Sequence, residues 1–172
     1  MHTRDDFFTF FGKSILKSLQ IMKNSSPRLD FSLPDHQGNL INIWDFRQKY
    51  NLILLLIRSI EASSWQLYFD WLKDLSPYVH ELKCKILLIT PDIFSFSKNI
   101  LTPLFSQRVI LLKDANLKVV STFLEENQTS GILVVDRYGE IWYQWTGHKE
   151  EHLPLPQDII DWLDFIERQC PE

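Results

Sequence analysis

The residues best placed for chemistry lie in a short polar turn between an apolar run and a long helical pattern. After Asn51, six apolar residues follow without a break, which is typical of a strand covered on both faces of a sheet. The turn that follows contains Ser63 and Ser64, and an apolar pattern with helical spacing begins at Trp65. A helix N-terminus stabilises an anion and would activate a thiolate. The turn contains no cysteine, so a thiol nucleophile is absent from it.

The two serines are weak substitutes for a thiol. Serine has a far higher pKa than cysteine and cannot cycle through a sulfenic acid and a disulfide. As a hydrolase nucleophile, Ser63 or Ser64 would need an adjacent base, and no histidine lies near them in the sequence. We therefore expect one of these serines to cap the helix.

The two cysteines of the chain, Cys84 and Cys170, lie elsewhere and match no metal-binding or redox spacing. Cys84 starts a predicted strand, at the end opposite to the polar turn, where cysteine usually acts as a small hydrophobic residue. Cys170 follows the last predicted helix and is expected to be more exposed, so an intermolecular disulfide is an alternative for it. The sequence predicts no metal site and no cofactor.

His148 and His152 have the i, i+4 spacing that binds zinc when it lies on a helix. The segment follows Gly147 and runs into two prolines, which favours a loop. A solvated charge cluster is therefore expected.

The segment Ile141–Trp145 contains two tryptophans and a tyrosine. It could form an aromatic binding strip. Strand alternation predicts that about half of these rings lie in the core.

Composition sets the broad class of the protein. The chain has 172 residues, of which 45% are hydrophobic, and its net charge is −4. This predicts one domain, or one domain with an appendage, and argues against a nucleic-acid partner. No apolar run is long enough to span a membrane and no secretory signal is recognised, so a cytoplasmic location with reduced thiols is expected.

Residues 5–23 predict an amphipathic helix, followed by a linker that ends at residue 26. Its apolar positions are Phe7, Phe11, Ile15, Leu19 and Met22. The division is thus an N-terminal helix and linker over residues 1–26 and a domain over residues 27–172. The helix is expected to contact a protein partner or a second copy of the chain; peripheral membrane contact is the alternative.

The remaining chain alternates strands and helices. A hairpin over residues 29–43, with His36 in its turn, precedes four apolar strands at residues 52–57, 85–90, 109–112 and 132–135. Helices are predicted at residues 65–82, with a kink or break at Pro77, and at residues 93–105. A third helix is predicted after the turn and N-cap Lys113–Asn116, with Leu117, Val120 and Phe123 on one face. A C-terminal helix is predicted to bury Ile159, Ile160, Leu163 and Ile166. An edge strand is predicted at residues 140–145, before a loop over residues 146–155. This order predicts an α/β fold with a mixed sheet.

Four stretches together resemble the thioredoxin-like superfamily, in its redoxin or peroxiredoxin branch (alkyl hydroperoxide reductase/thiol-specific antioxidant). They are DFSLPDHQGNLINIWDF, NLILLLIRS, KILLITPD, and LLKDANLKVVSTF with GILVVDRYGEIWYQWTG. The resemblance covers about residues 28–168 and implies a three-layer sandwich with flanking helices and an N-terminal β-hairpin.

The chain departs from this family at its active site. The family's Cys-x-x-Cys positions fall near Ala62 and Trp65, and a lone peroxidatic cysteine would fall within Ala62–Ser64. The family's cis-proline or arginine position falls on Ser130, next to Thr129. The resemblance therefore implies a vestigial pocket formed by Ala62, Ser63, Ser64, Trp65, Thr129 and Ser130. We expect a redox-inactive binding or scaffold module; a thiol-dependent peroxidase or disulfide oxidoreductase with a relocated cysteine is the alternative.

Overall fold

The fold is built on a five-stranded sheet beside a small β-hairpin. The computed structural model describes residues 29–59, 64–92, 109–148 and 153–169. The hairpin pairs β1 with β2, and the strands of the main sheet are β3 to β7. Their bounds are β1 Ser32–Pro34, β2 Leu40–Asn42, β3 Asn51–Ile57, β4 Cys84–Thr90, β5 Val109–Lys113, β6 Ser130–Val135 and β7 Ile141–Gly147.

The sheet is mixed, in the order β5-β4-β3-β6-β7. β3 pairs in parallel with β4, and β4 in parallel with β5, whereas β3–β6 and β6–β7 are antiparallel. All seven residues of β3 are buried, as the unbroken apolar run predicts for a central strand. The predicted strands, hairpin and α/β class are confirmed.

Each face of the sheet carries its own core. Alternate side chains of β3 point to opposite faces, with Ile53, Leu55 and Ile57 on one and Leu52, Leu54 and Leu56 on the other. The first face packs against helices α1 and α3. The second packs against the hairpin, a 3-10 helix and a short helix α2. Their bounds are 3-10 helix Ile43–Phe46, α1 Trp65–Glu81, α2 Val120–Phe123 and α3 Pro156–Gln169.

The hairpin turn is held by the Asp35 carboxylate. It accepts hydrogen bonds from the backbone N–H groups of Gln37 and Asn39, each at 2.8 Å, and Gly38 adopts a φ of 88°. Burial alone would raise the pKa of Asp35, but these bonds, that of the Asn39 side chain and the charge of His36 outweigh it, so the pKa lies below its usual value. His36 is exposed, as expected.

Two helix predictions need correction. α1 runs through Pro77 to Glu81 without the predicted break. The helix expected from Leu117 is shorter, because Leu117 has a φ of 55° and only Val120–Phe123 is α-helical. The predicted turn and cap before it are confirmed, since the buried Asp114 carboxylate accepts from the N–H groups of the three residues that precede or open α2.

The edge strand does not alternate as predicted. The pairing of β6 with β7 shifts between Val134 and Val135, so that Trp142 is an extra residue in β7. This bulge lets Trp142, Tyr143 and Trp145 all pack, half-buried, against the core under α3. The expectation that half of the rings point away is therefore wrong. β7 also extends to Gly147, into the segment predicted as a loop.

In α3, three of the four residues predicted as buried are buried, whereas Ile160 is only half-buried. Trp162, which was not predicted, takes a core position and lies with its ring 5.9 Å from that of Tyr143. The predicted helices over residues 5–23 and 93–105 lie outside the described residues, and the division into residues 1–26 and 27–172 stays a prediction. Within the described segments, no helix combines the length and apolarity needed to cross a membrane.

Candidate functional site

The ends of β3 and β6 bring together the two parts of the predicted site. Ile57, the last residue of β3, pairs with Ser130, the first residue of β6. The next N–H group, that of Arg58, donates to the Thr129 carbonyl oxygen at 2.8 Å, and that of Ser59 reaches the same oxygen at 3.5 Å. Thr129 and Ser130 therefore lie beside the start of the β3–α1 turn (residues 58–64), as the resemblance implies.

At the other end of this turn, Ser64 occupies the N-cap position of α1 without capping it. Its backbone has φ −86° and ψ −13°, which is helical, and its side chain makes no cap hydrogen bond. A capping side chain normally requires an extended backbone at this position. The capping prediction is wrong for Ser64; Ala62 and Ser63 lie outside the described residues.

Trp65 covers the first turn of α1. Its ring stacks on that of Phe69, with centroids 5.9 Å apart and planes at 22°, and lies 6.1 Å from the ring of Tyr68. Trp65 is half-buried and packs against the core between the sheet and the helices. The indole is therefore a packing side chain at this end of the helix. It stands at the position where the second cysteine of the family's Cys-x-x-Cys motif would fall.

The hydroxyl of Ser130 is used inside the protein. Ser130 is 3% exposed, and its side chain is hydrogen-bonded to that of Tyr68 on α1. Burial raises the pKa of Tyr68, and the bond with Ser130 acts in the opposite direction. A tyrosine with a raised pKa stays protonated at neutral pH and cannot take up the serine proton, so this pair does not activate a nucleophile. The only sequence signal for Tyr68 was a hydroxyl on an apolar helix face, which needs a partner when buried.

Arg58 connects the end of β3 to the residues that precede β6. Its guanidinium donates to the carbonyl oxygens of Gln128 at 3.2 Å and Leu124 at 2.9 Å, and to the Ser121 hydroxyl at 3.2 Å. Ser121 belongs to α2, and Leu124 and Gln128 belong to the segment that leads from α2 into β6. Sequence reasoning missed this role, because the partners lie more than 60 residues from Arg58 and no local spacing connects them.

The Cys84 thiol lies at the far end of the sheet. Cys84 pairs with Asn51, the first residue of β3, whereas the β3–α1 turn follows the last residue of that strand. Cys84 is 3% exposed, and burial raises the pKa of its thiol well above the usual value. Its predicted position and burial are confirmed, and Cys170 lies outside the described residues.

Asn51 also anchors a polar network that was not predicted. Its side-chain amide donates to Glu167 at 2.6 Å, and its oxygen accepts from the Arg137 N–H group at 3.0 Å. The Arg137 guanidinium contacts both Glu167 carboxylate oxygens at 2.8 Å. Since Asn51 is almost fully buried, this network fixes the end of α3 to the sheet.

Comparison with known proteins bears on the fold. No family model and no curated protein matches the chain. The solved structure of peroxidoxin BcpB from Mycobacterium tuberculosis matches with a TM-score of 0.63 and 17% identity, over 85% of this chain and 99% of that one. The reduced 2-Cys peroxiredoxin of Plasmodium vivax matches with 0.59 and 15%, over 84% and 80%. A putative thiol:disulfide interchange protein DsbE from Chlorobium tepidum matches with 0.54 and 15%, over 81% and 98%. The fold is thioredoxin-like.

The predicted architecture is thereby confirmed, including the mixed sheet, the flanking helices and the N-terminal hairpin. In this thioredoxin-like fold the β3–α1 turn, Thr129 and Ser130 lie at one end of the sheet. The described part of that end offers hydroxyls and backbone groups but no thiol. His148 follows Gly147, the partner of Ser130, at the same end, and its exposed ring contacts the Asn127 carbonyl oxygen. Such groups can bind a polar ligand but cannot carry two electrons.

The zinc alternative remains untested. His148 is exposed, and its ring nitrogen lies 3.1 Å from the Asn127 carbonyl oxygen. Glu150, Glu151 and His152 lie outside the described residues. Within those that are described, no three acidic, histidine or cysteine side chains come together as metal ligands.

Proposed function

We propose that this chain is a thioredoxin-fold binding or scaffold protein without thiol redox chemistry at the β3–α1 turn. The observation that carries the proposal is that the buried Cys84 thiol lies far from the β3–α1 turn, where the family's reactive cysteine would be. Peroxide and disulfide reduction need a thiolate of lowered pKa at a helix N-terminus. Here the turn has no cysteine, while Cys84 is buried at the opposite end of β3 with a raised pKa.

The same site supports binding through polar groups. Ser59 is exposed, and Ser64 and Thr129 are half-buried near the N-terminus of α1. We infer that these groups, with Ala62, Ser63, Trp65 and Ser130, form the remnant of an active-site pocket. We further infer a protein partner or a second copy that contacts the N-terminal helix, a cytoplasmic location and no nucleic-acid partner.

A turnover assay tests the central proposal. Purified full-length chain would be supplied with hydrogen peroxide or a disulfide substrate, and with a thioredoxin or glutathione reducing system. We expect no consumption above that of buffer, because the turn has no cysteine and Cys84 is buried at the opposite end of the sheet. Turnover that disappears in Cys84→Ser or Cys170→Ser, while the other variant stays active, would overturn the proposal.

The alternative is a thiol-dependent peroxidase or disulfide oxidoreductase that uses a relocated cysteine. The matching solved structures favour it, because they are a peroxidoxin, a 2-Cys peroxiredoxin and a putative thiol:disulfide interchange protein. A catalytic thiolate of low pKa would alkylate rapidly at mildly acidic pH. Mapping the iodoacetamide-modified cysteine by mass spectrometry distinguishes the alternative, and the leading proposal expects neither thiol to react rapidly.

Partner binding is tested separately. The full chain and a variant that lacks residues 1–26 would be compared in a pull-down, with oligomeric state measured by light scattering. We expect partner capture or self-association to fall without the N-terminal segment. Equal capture by both chains would exclude residues 1–26 as the partner surface.

A further inference from the structure

A second surface, distinct from the β3–α1 turn, lies at the opposite end of the sheet. A cleft separates the 3-10 helix from the turn between β6 and β7. Its floor is apolar and its wall carries the half-buried rings of Trp44, Phe46 and Tyr50. The floor is formed by Leu29, Ile43, Leu52 and Val135. We call this feature the aromatic cleft.

Arg47 lines the aromatic cleft, and Lys49 and Lys85 lie next to residues of its wall. The Arg47 guanidinium lies 4.6 Å from the centre of the Trp44 ring, and the Lys85 ammonium 5.1 Å from that of Tyr50. The Lys49 ammonium donates to the Asp45 carbonyl oxygen at 3.3 Å. Across the described segments, none of the three forms a salt bridge. They are held by rings and a neutral carbonyl, which leave their charge uncompensated.

The carboxylates at this end accept hydrogen bonds from other groups, Asp30 from the Trp44 indole and Asp45 from the Asn42 N–H group. Asp136 is buried and accepts from the N–H groups of Tyr138 and Glu140 and from the Trp142 indole. Glu167 pairs with Arg137, which also lines the cleft. The cations that border the cleft are thus accessible to an outside anion, on a chain whose net charge is −4.

The size of the cleft decides between classes of ligand. Its interior of about 20 Å³ holds about one water molecule. Sites for drug-sized molecules are roughly 300–1,000 Å³. A ligand must therefore lie across the cleft and pack against its aromatic wall, as an extended peptide segment can.

We propose that the aromatic cleft is a docking site for an acidic segment of another protein. An apolar side chain of that segment packs against Trp44, Phe46 and Tyr50. Its flanking carboxylates meet Arg47, Lys49 and Lys85. The charge of the rim and the apolar floor together select a segment in which acidic and apolar residues alternate.

The experiment uses the full chain, labelled with ¹⁵N, and a synthetic peptide of alternating glutamate and leucine. The reporter is the Trp44 indole N–H, which donates to Asp30 at 3.1 Å and is assigned by its loss in Trp44→Phe. We expect this resonance to shift on titration. Arg47→Gln and Lys85→Gln should each weaken binding about twofold to fivefold, as surface charge pairs do.

Matched controls separate a site from general charge attraction. Lys73→Gln removes one charge from an exposed position on α1 and should leave the affinity unchanged. A peptide with glutamine in place of glutamate should not shift the indole resonance. The proposal is overturned by an unshifted indole, by equal binding of the glutamine peptide, or by an equal loss in Lys73→Gln. Stronger shifts with single-stranded oligothymidylate, or shifts that depend on chain concentration without peptide, would assign the cleft to nucleic acid or to a second copy instead.

Discussion

At the scale of single residues, β6 has no room beside Gly131. A Cβ atom at this position would lie 2.6 Å from a methyl carbon of Leu124 and 3.2 Å from the Trp145 carbonyl oxygen. Leu124 is 4% exposed and cannot move into solvent without cost. We expect Gly131→Ala to lower the free energy of unfolding by about 1–3 kcal/mol, as overpacking does, measured by urea denaturation.

A second substitution tests the cause of this loss. In Leu124→Ala the methyl group that meets the new Cβ is removed, so Gly131→Ala should cost less in that background. A double-mutant cycle gives the coupling between the two positions. Additive losses would show that the steric contact is not responsible.

The raised pKa of Tyr143 makes the stability of the fold depend on pH. Burial, followed by the charge of Asp158, raises its pKa to about 12. The unfolded tyrosine releases its proton near pH 10, before the folded one does. The stabilisation is therefore complete below about pH 10 and is lost as the pH rises toward about 12.

Absorbance titration of tyrosinate checks this shift. The difference between the parent chain and Tyr143→Phe isolates the residue. Asp158→Asn should lower the pKa of Tyr143 relative to the parent, so that the loss of stability still begins near pH 10 but ends at a lower pH and is smaller. An unchanged titration in Asp158→Asn would contradict the role of this charge.

The site was partly predictable at this scale. The sequence placed Thr129 and Ser130 correctly beside the end of β3, because they are found by counting back from Asp136 along a single strand. The bonds of Ser130 to Tyr68 and of Arg58 to Leu124 were not predictable, since each joins elements far apart in sequence. The spacing of residues along the chain does not indicate such pairs.

At the scale of elements, Arg58 connects the end of β3 to the segment between α2 and β6. Lysine keeps the charge but cannot donate in three directions from a planar group. We expect Arg58→Lys to lower the free energy of unfolding by about 1–3 kcal/mol. Amide hydrogen exchange should become faster in residues 121–129 and stay unchanged in β4.

Arg47→Lys is the matched control for this prediction. Arg47 is exposed and lies over the Trp44 ring, without bonds to a distant segment. Its replacement should change stability by less than about 0.5 kcal/mol. An equal effect in both variants would show that Arg58 does not act as a connector.

Prediction of elements succeeded where burial on both faces leaves an unbroken apolar run, as in β3 and β4. It failed where one backbone torsion decides the outcome. Leu117 takes a positive φ that leucine rarely adopts, and this shortens α2. Pro77 removes one N–H donor near the end of α1, yet Val79 is buried against the sheet and the last turn keeps its packing.

At the scale of the whole molecule, the Cys84 thiol reports on unfolding. Its side chain packs among both helices and the sheet, so a reagent reaches it only when these separate. In Cys170→Ser, where Cys84 is the single thiol, we expect modification in native buffer at least about 10³-fold slower than in denaturing urea. The logarithm of the rate should rise with urea in parallel with the unfolded fraction.

The outcome that would contradict this prediction is rapid modification without denaturant. Glu167→Ala provides a destabilised comparison, because it leaves the buried Asn51 amide and Arg137 without their carboxylate. Its Cys84 should react faster than that of the parent chain. Equal rates would mean that Cys84 is exposed by a local opening that leaves the contacts of Glu167 intact.

The bulge in β7 has a consequence for solubility. β7 is the last strand of the sheet and contains no charged residue to repel another strand. An uncharged border of this kind invites pairing with neighbouring molecules and, eventually, fibrils. Because the extra residue Trp142 breaks the regular hydrogen-bonding repeat, an incoming strand cannot pair along the full length of β7. The irregularity that draws the aromatic rings inward thus also protects the chain against aggregation.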